Sequence, residues 1–191
     1  MVEFKSVRDE LKEFATTKQL VRLVRSFYDQ QHCGSVIAIG NEWLFFRQYW
    51  NFMPNGFTTL RVKDVECIFS DEGGDRFAER ILNSEGLLKI EDPTFKVDLR
   101  NTRVLLESLS KTGLNIEIEC KYPEREEPDE SDVGRILKIN EDRLNFAFFD
   151  GTGAWSRAPA SLKIDCVSRI QFHTAYLNTV SKYVVPLPHF A

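Results

Sequence analysis

The chain has 191 residues, 42% of them hydrophobic and 28% charged, with a formal net charge of −4. No apolar run approaches the roughly 20 residues that a bilayer-spanning helix needs, and the charged start "MVEFKSVRDELKEF" lacks the apolar stretch of a signal peptide, so a cytoplasmic protein is expected. The charge is local: Glu124 to Asp132 holds six acids and one Arg, and the rest of the chain sits near +1, with no basic stripe of the kind nucleic-acid binders use to neutralise phosphates.

In chain order, "SVRDELKEF" reads as a helix. Ser6 with Asp9 three residues on is a capping signal, and Val7, Leu11 and Phe14 share a face. "QLVRLVRSFYD" suits a helix through Leu20, Val24 and Phe27, yet its place in the chain's internal repeat makes it a strand. Strands follow at "SVIAI" and "WLFFRQY", then a loop "WNFMPNG", then strands "FTTLRV" and "VECIF". "DRFAERILNSEG" is a helix with Phe77 and Ile81 inward and Gly86 as its stop. "LLKIEDPTFKVDL", with Pro93 and no clear period, reads as a linker or a short extra strand.

The same order then recurs. "NTRVLLESLSKTG" is a helix with Val104, Leu105 and Leu109 on one face and Gly113 as its stop. "LNIEIECKYP" alternates Leu114, Ile116, Ile118 and Cys120 against polar neighbours, the period of a half-buried strand. After the acidic run, which reads as a solvated hairpin loop, come "GRILKI", the turn "NED" and "RLNFAFF". The Gly-rich loop "DGTGAWSRAP", strands "SLKI" and "CVSRIQF", and a helix "TAYLNTVSKY" with Tyr176, Leu177, Val180 and Tyr183 on one face complete it. The hairpins match in detail: Gly34, Ile39, Leu44 and Phe46 recur one hundred residues later as Gly134, Ile139, Leu144 and Phe146.

Helix, five short strands and helix, written twice, favour bent antiparallel sheets that close on themselves and so lose their exposed edges. Pro54-Asn55-Gly56 and Gly151 to Gly153 mark the bend between the third and fourth strands of each copy. With a glycine opening the second strand and Arg61 and Asp64 before the last, "GSVIAIGNEWLFFRQYWNFMPNGFTTLRVKDVECI" resembles the Sm-like small barrels, in particular uncharacterised bacterial members. The resemblance implies a mostly β fold with flanking helices, built as two tandem Sm-like five-stranded barrels. Copy 1 spans residues 1–88, a linker 89–100, and copy 2 residues 101–191.

RNA-binding Sm proteins carry an Asp and an Asn in the turn between the second and third strands, and an Arg-Gly before the fifth. The Asp position is Gly40 and Asn140 here, and the Asn position is Leu44 and Leu144. Lys63-Asp64 and Asp165-Cys166 stand for Arg-Gly, so the base-binding pocket lacks its polar half in both copies.

Enzyme chemistry finds no constellation. His32, His173 and His189 stand apart from any nucleophile motif or metal spacing and read as hydrogen-bonded loop or surface histidines. The four cysteines form no C-x-x-C pair and read as buried free thiols. "FFDGTGAWS" has Ser156 where a dinucleotide fingerprint needs its third Gly, and strand where it needs helix. No catalytic residue, metal or cofactor is expected. The suggestive stretch is "YWNFMPNGF": Tyr49, Trp50, Phe52, Met53 and Phe57 crowd a segment that ought to be polar, and the second copy keeps Trp155 beside Arg157. These seven residues are a candidate partner-binding patch, because Trp, Tyr and Arg dominate interaction hot spots; lidding the barrel or binding the two copies together is the competing role. A non-enzymatic interaction protein is therefore expected, its partner another protein or its own copy, with RNA binding through altered loops as the alternative.

Overall fold

The computed structural model describes residues 5–25, 31–89, 93–122 and 131–190. Helix α1 (Val7–Thr17) starts where the Ser6 hydroxyl accepts the Asp9 amide, and it turns Leu11 inward with Val7 and Phe14 beside it. Strands β1 (Val21–Arg25), β2 (Gln31–Ile39), β3 (Trp43–Trp50), β4 (Met53–Arg61) and β5 (Val65–Phe69) follow, and helix α2 (Gly74–Ser84) closes the first half. Helix α3 (Thr102–Ser110), capped by the Asn101 side chain, opens the second half. It leads into β6 (Ile116–Cys120), β7 (Asp132–Ile139), β8 (Arg143–Phe148), β9 (Ala160–Lys163), β10 (Val167–Phe172) and α4 (Ala175–Val180).

All ten strands belong to one antiparallel sheet in the order β5-β1-β2-β3-β4-β10-β6-β7-β8-β9. The two closed five-stranded barrels implied by the resemblance are therefore not the architecture. Closure fails because β4 gives its free edge to β10, pairing Phe57–Leu60 with Arg169–Phe172, and among the described residues the sheet keeps β5 and β9 as open ends. Within each half the strands nonetheless follow the same internal order, last, first, second, third, fourth.

The glycine shared by the two hairpins has a steric cause. A Cβ on Gly34 would lie 2.0 Å from the Arg47 carbonyl oxygen, and one on Gly134 would lie 1.9 Å from that of Ala147. Both positions bring a backbone within reach that no side chain tolerates. Both hairpins also slip register in the same place, between Val36 and Ala38 and between Ile136 and Lys138. Each turn is held by an arginine from the first turn of a helix. Arg8 donates to the carbonyls of Gly40 and Asn41, and Arg103 to those of Asn140 and Glu141.

The sheet curls strongly. Arg25 of β1 and Glu119 of β6 form an ion pair at 2.7 Å although four strands separate them in the sheet. A flat sheet would hold those strands roughly 24 Å apart. Leu44, Phe46, Val36, Leu23 and Leu60 point to one face and make a core with Leu11. Trp43, Phe45 and Phe57 point the other way and join the second half's core of Phe146, Ile170 and Phe172 with Leu105, Leu106 and Leu109 of α3.

Several local expectations change. "WNFMPNG" is no loop: only Asn51 and Phe52 lie between β3 and β4, and Pro54-Asn55-Gly56 lie inside β4. Gly56, at φ +71, lies against the His173–Thr174 backbone. Helix α2 is rotated by one residue, burying Asp75, Ala78 and Leu82 and leaving Phe77 outside. The cause is polar: the Asp75 carboxylate accepts from Arg22 of β1 and from the Asp71 amide, which fixes the helix's inward face. Helix α4 stops at Val180 and buries Leu177, while Tyr176 and Tyr183 are exposed. Asp150 closes the Gly-rich stretch as a turn by accepting from the amides of Thr152 and Ala154. Most of the acidic run, residues 123–130, lies outside the described residues, as do 26–30 and 90–92.

Candidate functional site

The aromatic stretch forms the tip of the β3–β4 hairpin, where Trp50 pairs with Met53. Its two-residue turn holds Asn51 at φ +47 and Phe52 at φ +60. Two successive positive φ values define the turn whose hand matches strand twist, and its second place normally goes to Gly. A phenylalanine there costs backbone energy, and the energy is spent on an exposed ring. Trp50 is 64% exposed, Met53 59% and Phe52 43%.

Helix α2 brings a fourth apolar side chain to the same place. Phe77, 49% exposed, meets Phe52 edge-on at 6.0 Å between ring centres. Beneath the tip lies a cavity of about 270 Å³, walled by Leu20, Cys33, Tyr49, Phe52, Phe77 and Leu82. The Arg22–Asp75 pair sits on its polar side. Burial pushes the Tyr49 hydroxyl above its usual range, and burial together with Asp75 does the same to the Cys33 thiol. Neither group is activated toward nucleophilic chemistry.

The seven predicted site residues thus fall into three places. Trp50, Phe52 and Met53 form the exposed tip. Tyr49 is buried below it, and Phe57 is buried in the shared core, stacked on Phe172 at 5.6 Å. Trp155 lies in the other half, edge-on to Phe149 at 5.1 Å, and its indole N–H donates to the Val185 carbonyl at 2.8 Å. Arg157 is exposed on the same loop. Phe77 is the member that sequence reasoning missed, because an amphipathic pattern reads i, i+4 pairs as inward, and only the buried Asp75 reveals the rotation.

A second cluster sits between the halves. Glu119 of β6 takes Arg25 from one side, at 2.7 and 3.3 Å, and Ser168 at 2.7 Å. The Arg169 Nε lies 2.9 Å from the same carboxylate, an ion-pair contact too bent to be a hydrogen bond. Beside it, Gln171 donates to Gln48 at 2.6 Å, and Gln48 contacts the His32 Nδ1 at 3.4 Å. His32 is thus a core residue of β2, not a loop or surface histidine. Burial, then the charges of Arg169 and Arg25, lower its pKa to about 4, so the ring is neutral at pH 7. Burial raises the Glu119 pKa, but Arg25, Arg169 and Ser168 outweigh it and hold the carboxyl below its usual value. These groups are buried and mutually paired; they fasten strands together.

Among the described residues, no group of three or more His, Cys, Asp or Glu is placed to hold a metal ion, and no helix is long and apolar enough to cross a membrane. None of the four cysteines is in a disulfide. Comparison with known proteins finds no matching family model, no matching curated protein and no matching solved structure.

Proposed function

We propose that this chain is a non-enzymatic interaction protein that holds a protein partner, a second copy included, through the hairpin tip of Trp50, Phe52 and Met53 together with Phe77. The observation that carries the reading is Phe52. A left-handed phenylalanine at an exposed two-residue turn costs backbone energy without filling a core. Strain and exposed apolar surface in one place favour a contact surface over a lid, since a lid would bury these rings.

A protein partner is favoured over RNA because the turn carbonyls of both β2–β3 and β7–β8 are already taken by Arg8 and Arg103. The chain also offers no basic stripe to attract phosphate.

Two substitutions test it. Trp50→Ala removes an exposed side chain and should move folding stability by less than about 0.5 kcal/mol, while association weakens by about 2 kcal/mol or more. Phe52→Gly places the residue the turn prefers, so stability stays level or rises by about 0.5–1 kcal/mol, while association again falls. Thermal unfolding and sedimentation on the same samples read both quantities. Loss of stability by about 3 kcal/mol in Trp50→Ala would mark a buried lid instead.

A further inference from the structure

The two open ends of the sheet are not alike, and the β9 end carries a device. Ile164 N donates to the Asp142 carbonyl, as Val62 N donates to that of Glu42. The alternation of an antiparallel ladder then points the main-chain groups of Ser161 and Lys163 away from β8, toward the open side. In the first half the same alternation points Thr59 away from β3, and Thr59 is the residue opposite Ile170 where β4 meets β10. Ser161 therefore stands on β9 where Thr59 stands on β4: each lies opposite the third strand of its half, two residues from the pair next to the β7–β8 or β2–β3 turn, Arg143–Lys163 or Trp43–Arg61.

That outward carbonyl is occupied. Arg143 Nη2 donates to the Ser161 carbonyl at 2.8 Å, and its Nε donates to the Ser161 hydroxyl at 2.7 Å. The corresponding residue of the first half is Trp43, which leaves the edge open. It packs under the Arg61 guanidinium at 4.8 Å and donates to Thr102 of α3. Arg61, so placed, reaches across the joint to the carbonyls of Val167 and Asp165.

We propose that Arg143 is a latch on the β9 edge, and that this edge, once uncovered, takes the β5 edge of a second copy of this chain in the register of the β4–β10 joint. The occupant follows from the sheet itself. Strand β5 follows a 3-10 turn as β10 does, and Val65-Glu66-Cys67-Ile68 stands where Val167-Ser168-Arg169-Ile170 stands. Ser161 would then face Ile68 of the second copy. Two residues further along, the exposed Lys163 would face the exposed Glu66, a complementary pair. Such a contact joins different surfaces of identical chains, so it builds rings or filaments and not only pairs. A charged cover on a short edge strand is how sheets avoid that growth.

This surface is separate from the hairpin tip, so Trp50→Ala should leave it unaffected and the two ideas fail independently. The test is sedimentation velocity on Arg143→Ala over rising concentration. The weight-average mass should climb to at least about twice that of the wild type at about 100 μM, a weak-association range. In that background Glu66→Lys should return the mass to the wild-type value, and adding Lys163→Glu should restore the growth. Arg143→Gln replaces the alanine variant if the latter loses its thermal transition. A folded Arg143 variant of unchanged mass overturns the proposal, and so does growth indifferent to the charge exchange.

Discussion

At the scale of single residues, His32 shows how a buried polar side chain sets acid sensitivity. Its ring is 3% exposed, and its Nε2 finds no hydrogen-bond partner among the described residues. Burial penalises the protonated ring, and the cations of Arg169 and Arg25 add to this, so the folded pKa falls from 6.5 to about 4. The unfolded chain therefore binds the proton more readily than the folded one across that interval. Stability is fully present above pH 6.5 and is lost as pH falls toward 4, by about 3 kcal/mol over the window. His32→Gln should flatten the stability curve between those pH values and change little at pH 7.5. Urea unfolding at four or five pH values reads the slope, and an unchanged slope would show that His32 does not set it. The residue type was visible in the chain, but its burial was not, since a single histidine gives no periodic signal.

At the scale of elements, the hairpins were the most legible part of the chain. Alternating apolar residues, polar breaks and the recurrence of Gly34 as Gly134 located four strands and two turns. The turn after β3 was misread for a physical reason. Pro54-Asn55-Gly56 is ordinary turn chemistry, whereas Asn51-Phe52 puts an aromatic ring where Gly is usual, and backbone strain leaves no mark in composition. The glycines separate two kinds of constraint. Gly34→Ala drives a Cβ into the Arg47 carbonyl and should cost about 2–3 kcal/mol, with the β2–β3 hairpin distorted. Gly113 sits at φ +66 with nothing within 4 Å of its would-be Cβ, so Gly113→Ala carries only the left-handed penalty of about 1 kcal/mol. Equal costs in chemical denaturation would refute the close-approach account of Gly34.

At the scale of the whole molecule, strand faces are written locally but edge partners are not. Phe57–Leu60 satisfies a pairing with β5 of its own half or with β10 equally well as a pattern, so closure could not be read from period two. What separates the outcomes is the long-range polar joint. Arg25 and Glu119 are 94 residues apart, and nothing near either residue announces the other. Their weight follows from burial more than from distance. Arg25–Glu119 and Arg100–Asp98 are nearly the same length, at 2.7 and 2.9 Å, yet the first pair's side chains are 0% and 4% exposed and the Arg100 side chain is 75% exposed. Removing one partner of a buried pair strands the other charge in a medium that cannot solvate it, at about 3–5 kcal/mol. Glu119→Ala also takes a carboxylate from Arg169, which keeps its ion pair with Glu117 at 2.8 Å. The melting temperature of Glu119→Ala should therefore drop steeply, while Arg100→Ala leaves the melting curve where it is, since water and salt already screen that pair. Replacing the buried pair together, as Arg25→Met with Glu119→Leu and with Arg169 left on Glu117, should recover part of the loss by exchanging ions for apolar packing. A single Glu119→Ala change as mild as Arg100→Ala would mean that the joint between the two halves is wet, and that the sheet is held there by its backbone ladder alone.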